Sequence, residues 1–261
     1  TYASMQKEIS TLSRKLAKAF NTNTLIPPLP KKFCKNTKNA NLLRVASEKL
    51  IKSPIIGFKA GATGKAMLKK WGEKEPFYAS IFKKNLVKTN SKVKLSKNTF
   101  GIELEVFYFL DQKIFKSKSK ITTKNIKKYI HGMGPCIELV GYRQRKKGVT
   151  CLGDLTADFG CNVKFIIGKK KKFKNIKFNN LATKLCNKKS GQIVEGNTKV
   201  VYDSPLKSCV WLINKAKKDK VSINRNFYVF TGSTVGVVPI TKKGLFEGQI
   251  KLIGNVKTTV R

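Results

Sequence analysis

Acidic side chains are scarce in this chain, 14 Asp plus Glu against 55 Lys plus Arg in 261 residues, so acids inside apolar runs stand out. Glu103 and Glu105 lie in TFGIELEVFYFLDQ, Thr99 to Gln112. Side chains alternate faces on a strand, so the two acids share one face with Phe107 and Phe109 while Ile102, Leu104, Val106 and Tyr108 line the other. Their backbones then stand roughly 7 Å apart, a spacing that suits joint metal binding or acid/base work. A solvated strand edge whose acids pair with neighbouring lysines fits the same pattern, and the strand by itself leaves both readings open. Glu138 is a further acid in an apolar strand, PCIELVGYR, where a buried charge needs a partner. Lys59 ends the apolar run IIGFKA: it is either one more surface lysine or a desolvated amine whose pKa burial lowers toward the acid/base range.

The elements that carry these residues follow from periodicity. Met5, Ile9, Leu12, Leu16 and Phe20 fall at helical spacing, and Pro27, Pro28 and Pro30 end that amphipathic helix. A second helix is expected around 40–52. Ile55 to Ala60 reads as a short strand, followed by a helix over 64–71 with Thr63 as its cap. Thr122 or Thr123 caps a helix through His131, with GMGP (Gly132 to Pro135) as its stop, before the strand holding Glu138. Asp154 and Asp158 lie in a loop feeding the strand 163–167. Asp203, Ser204 and Pro205 start a helix that closes near Lys217. Strands are expected at 227–231, 236–240, 249–253 and 256–260. Helices first and strands later give an α+β fold with a mostly antiparallel core. Residues 1–98 form a helical and mixed segment packed on a β-rich core, residues 99–261, the two making one structural unit.

Composition narrows the function classes. The formal charge of +41 invites a nucleic-acid partner. Against it, nearly all the basic residues are lysine and they run the whole length. Arg occurs only at 14, 44, 143, 145, 225 and 261, although bidentate phosphate or base contacts favour it. Lysine filling solvated positions explains the excess, and Lys169 to Lys172 reads as a solvated loop. Six cysteines without a CxxC pair, and the single His131, give no zinc spacing, so reduced core thiols are expected and His131 is structural. No apolar run approaches the ~18 residues of a membrane span and the opening lacks signal-peptide character, which predicts a soluble, cytoplasmic protein. Thr1 to Ser4 ahead of Met5 reads as an expression scar or a processed terminus.

The order of motifs resembles the fumarylacetoacetate hydrolase superfamily, in particular its 2-keto-4-pentenoate hydratase branch. IGFKAGATG (Ile56 to Gly64) is similar to that branch's glycine-bracketed lysine motif, and GIELEV and PCIELVGYR to its metal-binding strands. LTADFGCNVKFIIG resembles its Ala-Asp loop, SPLKSCVWLINK its Pro-Leu helix, and FTGSTVGVVPI its Thr-Gly turn. The resemblance runs from about Ala40 to the end. It implies a mixed β-roll or sandwich with flanking helices, and a homo-oligomer. It also implies one Mg²⁺ or Mn²⁺ held by Glu103, Glu105 and Glu138, with a small 2-oxo acid, or its enol, reacting through an enolate. Lys59 would shuttle a proton or meet the substrate carboxylate, Asp158 would orient the metal site, and Thr231, Gly232 and Ser233 would bind substrate. Hydration, as in aromatic catabolism, is the first expectation. Decarboxylation or C–C hydrolysis is the second, and a non-catalytic basic protein binding nucleic acid is the alternative class. Two departures bear on this: Phe77 stands where the branch carries an Asp, with Ala79 for a Gly, and Phe159 and Cys161 stand for Asn and Ser.

Overall fold

The computed structural model describes residues 1–145 and 148–261. The N-terminal stripe forms α1 (Tyr2–Thr22), whose Leu16 and Phe20 pack with Phe33, Leu43 and Phe159. The prolines are followed by a single-turn α2 (Lys31–Cys34) and by α3 (Thr37–Glu48), capped by the Asn36 side chain, which accepts from the Asn39 N–H. Next come β1 (Ile55–Gly61), α4 (Lys65–Lys70), β2 (Phe77–Phe82), β3 (Leu86–Lys88), β4 (Ser91–Val93), β5 (Thr99–Leu110) and β6 (Ile130–Gly141). After α5 (Leu152–Ala157) run β7 (Asn162–Ile167), β8 (Ala182–Asn187) and β9 (Ile193–Asn197). Last are α6 (Pro205–Lys218), with Ser204 as N-cap and Pro205 opening it, β10 (Phe227–Ser233), β11 (Val238–Pro239), β12 (Gly244–Ile250) and β13 (Gly254–Val260).

Among the described residues the strands make two sheets. The larger runs β2-β1-β10-β5-β6-β7-β3, with β11 also on β5; the smaller runs β4-β13-β12-β8-β9. Parallel pairs (β1 with β10, β3 with β7, β4 with β13) are mixed into antiparallel neighbours, the mixed sheet pair expected for the fold class. The long strands β5 and β6 form its spine, and the alternation read along β5 holds. Ile102, Leu104, Val106 and Tyr108 face the main core, shared with the second sheet and with α6 residues such as Leu212 and Ile213. Phe107 on the opposite face joins Cys136, Phe165 and Phe230 in a separate aromatic cluster, and Glu103 and Glu105 project from that face.

Several local expectations fail for identifiable reasons. Only a single 3₁₀ turn, Asn125–Tyr129, stands where a helix through His131 was expected, and His131 and GMGP belong to β6. The glycines do not stop a helix. They make room in a strand: Gly134 pairs with Phe107, and a Cβ there would lie 2.6 Å from that ring. Thr63 is not a cap; Gly64 precedes α4 and Thr63 is buried. The strand expected at 249–253 begins instead at Gly244, and Leu252 lies in the following turn at φ 66°. The segment holding Asp154 is a helix, not a loop. Strand β8 (ATKLCN) mixes Thr, Lys and Asn among its apolar residues and β9 (IVEGN) has only two apolar side chains, side by side, so neither shows an apolar alternation. Cys136, Cys161, Cys186 and Cys209 are buried free thiols, but Cys34 and Cys151 form a disulfide across 117 residues, against the expectation of reduced cysteines throughout. Sequence spacing cannot reveal that pair, because it depends on α2 docking on the start of α5, where Gly153 meets the Cys34 carbonyl.

Candidate active site

Register brings the scattered acids together. Glu103 on β5 pairs directly with Glu138 on β6, and Glu105 lies two residues along the same face. One carboxylate oxygen from each lies within 4.8 Å of the others. Glu105 and Glu138 are fully buried and Glu103 is half-buried, above the floor of Phe107, Phe165 and Phe230. Phe165, the β7 partner of Glu138, stacks on Phe230 with centroids 3.9 Å apart.

Lys59 projects from β1 into the same cluster. Its Nζ donates to Glu138 Oε2 at 2.6 Å and to the Gly160 carbonyl at 2.6 Å, and it is buried. Two glycines shape its strand. A Cβ at Gly57 would lie 2.3 Å from the Tyr228 carbonyl oxygen of β10, and one at Gly61 would lie 2.3 Å from the Phe77 ring. The Gly160 carbonyl is presented by an unusual turn: Phe159, Gly160 and Cys161 have φ of 51°, 64° and 58° in succession. For the two non-glycine residues this backbone costs roughly 1–2 kcal/mol each. Arg143, at the exit of β6, grips the turn from both ends. Its N–H donates to Asp158 Oδ2 at 2.6 Å, its Nη1 to Asp158 Oδ1 at 3.0 Å and its Nη2 to the Asn162 carbonyl at 2.5 Å. The guanidinium lies against the rings of Phe20 and Phe159, 4.7 and 5.4 Å from their centroids, and the two rings pack on each other at 4.4 Å. Asp158 is therefore bonded to Arg143, on the far side of the turn from the carboxylate cluster; its link to the site is the backbone it anchors.

The turn after β10 closes the other side. The Gly232 N–H donates to Glu105 Oε1 at 2.9 Å, and at φ 117° a side chain on Gly232 would meet Thr63 Oγ1 at 2.2 Å. Gly232 and Ser233 line the cavity beside the carboxylates, whereas the Thr231 hydroxyl donates to the Val106 carbonyl at 2.6 Å and faces the sheet. Ser233 Oγ donates to the Gly236 carbonyl at 2.6 Å and so stiffens the turn.

The electrostatics are those of a site short of positive charge. Burial pushes Glu103 and Glu105 well above the usual carboxylate range, and repulsion from Glu138 adds to it. Burial would lower the Lys59 ammonium, but Glu138, then Glu103 and Glu105, outweigh it and hold Lys59 above the ordinary lysine value. Carboxylate proximity thus reverses the lowering that its buried strand suggested. Glu105 Oε2 and Glu138 Oε1 are buried with no hydrogen-bond partner among the described residues. Such oxygens are costly unless a cation meets them, and an all-carboxylate donor set suits a hard divalent ion. A second group of ligand-type side chains, Cys34, Cys151 and Asp154, has its two sulfurs joined to each other.

A cavity of about 540 Å³ opens above the cluster, with Lys59, Glu103 and Gly160 in its wall. Its rim takes in Glu195 to Asn197 of β9, in the smaller sheet, which sequence reasoning did not place at the site. The one available signal was the rarity of acids, which makes Glu195 conspicuous in a lysine-rich stretch. Thr63 and Cys161 also line it.

No protein-family model and no curated protein matches the chain. Solved structures do. A 4-oxalocrotonate decarboxylase from Pseudomonas putida G7, complexed with magnesium and adipate, matches over 98% of both chains at 18% identity and a TM-score of 0.85. A fumarylpyruvate hydrolase from Pseudomonas aeruginosa, in complex with Mn²⁺ and pyruvate, matches over 80% of this chain and 90% of its own at 13% identity and 0.60. A Yersinia pestis CO92 protein assigned to the fumarylacetoacetate hydrolase family matches over 81% and 96% at 16% identity and 0.55. The sheet order, the strand-borne carboxylates and these matches give the chain the fold of the fumarylacetoacetate hydrolase superfamily.

Proposed function

We propose that the chain is a divalent-metal-dependent enzyme of the fumarylacetoacetate hydrolase superfamily acting on a 2-oxo acid or its enol. The observation that carries this reading is the convergence of Glu103, Glu105 and Glu138 with two buried carboxylate oxygens left unpaired. These three residues would hold Mg²⁺ or Mn²⁺, which when bound supplies Lewis-acid stabilisation for negative charge developing on the substrate's ketone oxygen. The magnesium and Mn²⁺ complexes of two proteins sharing the fold agree with that choice of ion.

The protein's own groups divide the remaining work. Lys59, fixed between Glu138 and the Gly160 carbonyl, holds a proton at Nζ on the cavity wall and is the one cationic side chain among the described lining residues. It is placed to deliver that proton at the carbon next to the ketone. Gly232 fixes one oxygen of Glu105, leaving the other free to ligate. The Asp158–Arg143 pair holds the left-handed turn that orients Lys59, so Asp158 acts through positioning. Gly232 and Ser233 line the substrate space, and Thr231 supports them from the sheet.

A hydratase-like reaction is the first reading. A decarboxylase is the second, and Phe77 favours it: the branch's acid is replaced by an apolar ring 5.9 Å from Lys59 Nζ, which removes a polar group that would handle water. Assaying a panel of 2-oxo acids and their enols with Mg²⁺, for water addition, CO₂ release and C–C cleavage, tests the proposal. Turnover is expected with at least one member and is expected to fall by about 10²–10⁴-fold in Lys59→Met. Absence of all three reactions across the panel would contradict it.

A further inference from the structure

The walls of the cavity carry information about the substrate beyond its 2-oxo acid head. Away from the carboxylates they are mostly apolar, with Phe77, Phe100, Val140, Leu155, Val235 and Val237, and carry only uncharged polar groups such as Asn197 and Thr234 beside them among the described residues. The two rings are held in place. Phe77 lies over Gly61 and Gly160, where a Cβ would approach it to 2.3 and 3.0 Å, and Phe100 stacks on Tyr142 with centroids 4.6 Å apart. Lys59 is the only cation among the described lining residues, and it is already committed to Glu138 and Gly160. Among the described residues the one charged group on the rim is Glu195, an acid. In a chain of formal charge +41 with lysine over most of its surface, a cavity whose far wall has none among the described residues is not what composition gives.

Resting on the metal-dependent reading above, we infer that the substrate is a 2-oxo monocarboxylic acid with a bulky apolar tail, of the size of an aryl or branched alkyl group. A second carboxylate at the far end of the substrate would lose its hydration against valine and phenylalanine and would gain no hydrogen-bonded cation in return. An apolar tail gains from the same burial, and an aromatic one also meets the faces and edges of Phe77 and Phe100. About 540 Å³ leaves ample room beyond a pyruvate-sized head for such a group. The lysine-rich exterior would speed the arrival of any anion, but that long-range attraction does not distinguish what the inner wall accepts.

Calorimetry on the full chain loaded with Mn²⁺, titrated with pyruvate, 2-oxo-4-phenylbutanoate and 2-oxoadipate, separates the head from the tail. The phenyl compound is expected to bind at least about tenfold more tightly than pyruvate, and 2-oxoadipate no more tightly than pyruvate. Pyruvate binding with 2-oxoadipate equal to or tighter than the phenyl compound would overturn the tail assignment and leave the metal-dependent reading standing. Binding of none of the three to the Mn²⁺-loaded chain would overturn both. Val237→Lys, at a position 47% exposed, places a cation on this wall and is expected to raise 2-oxoadipate affinity by about tenfold. Unchanged 2-oxoadipate affinity in that variant would count against the tail lying along this wall.

Discussion

At the scale of single residues, the site gathers three carboxyl groups around one buried lysine. Glu103, Glu105 and Glu138 were legible in the sequence because acids are rare here and strand alternation fixes which face they share. Their mutual distance was not, since it depends on the β5–β6 register. The partner of Asp158 was equally hidden: Arg143 reaches it only after the chain has turned through α5. The raised carboxylates give a signed prediction for the metal-free protein. An acid whose folded pKa lies above its unfolded value binds more protons when folded, so its contribution falls as pH rises past about 4.5. Melting of the metal-free chain, followed by circular dichroism between pH 5 and 7, should therefore show stability decreasing with pH from this cluster. Saturating Mg²⁺ should flatten that dependence. A metal-free melting temperature that rises over the same interval would contradict the assignment.

At the scale of elements, the turn Phe159–Cys161 shows how the fold sustains a costly backbone near its chemistry. Arg143 bonds both ends of it, α1 covers it through Phe20, and the Cys34–Cys151 disulfide ties α2 to the start of the helix that leads into it. Helices with a clean apolar stripe or a Ser-Pro start, α1 and α6, were readable residue by residue. The start of β6 was misread because Gly and Pro, usual helix stops, here lie inside a strand, where Gly134 packs against Phe107, Gly132 against Lys170 and Pro135 against Gly168. Replacing both Cys34 and Cys151 by Ser should cost about 2–4 kcal/mol in urea unfolding, through the freedom regained by a long loop in the unfolded chain. The same loss should appear in the unaltered protein under reductant; no difference between oxidised and reduced forms would show that α2 and α5 hold together by packing alone.

At the scale of the whole molecule, the charge and the site are two sides of one distribution. Several of the scarce acids, Glu48, Glu105, Glu138, Asp154 and Asp158, are buried, which leaves the exterior to lysine; Lys169 to Lys172 are exposed, in keeping with a solvated loop. A basic nucleic-acid-binding scaffold would have no use for three converging glutamates with unpaired buried oxygens. Among the described residues no helix is long and apolar enough to cross a membrane. The α+β class and the mixed sheets followed from motif order, while the smaller sheet's part in the cavity, through β9, needed the structure. Calorimetric titration of Mn²⁺ into the unaltered chain and into a Glu103→Gln, Glu138→Gln double variant tests the central claim most directly. One ion per chain bound by the former, with affinity reduced by at least about 100-fold in the latter, is the predicted result. Equal binding by both, or negligible binding by both, would contradict it.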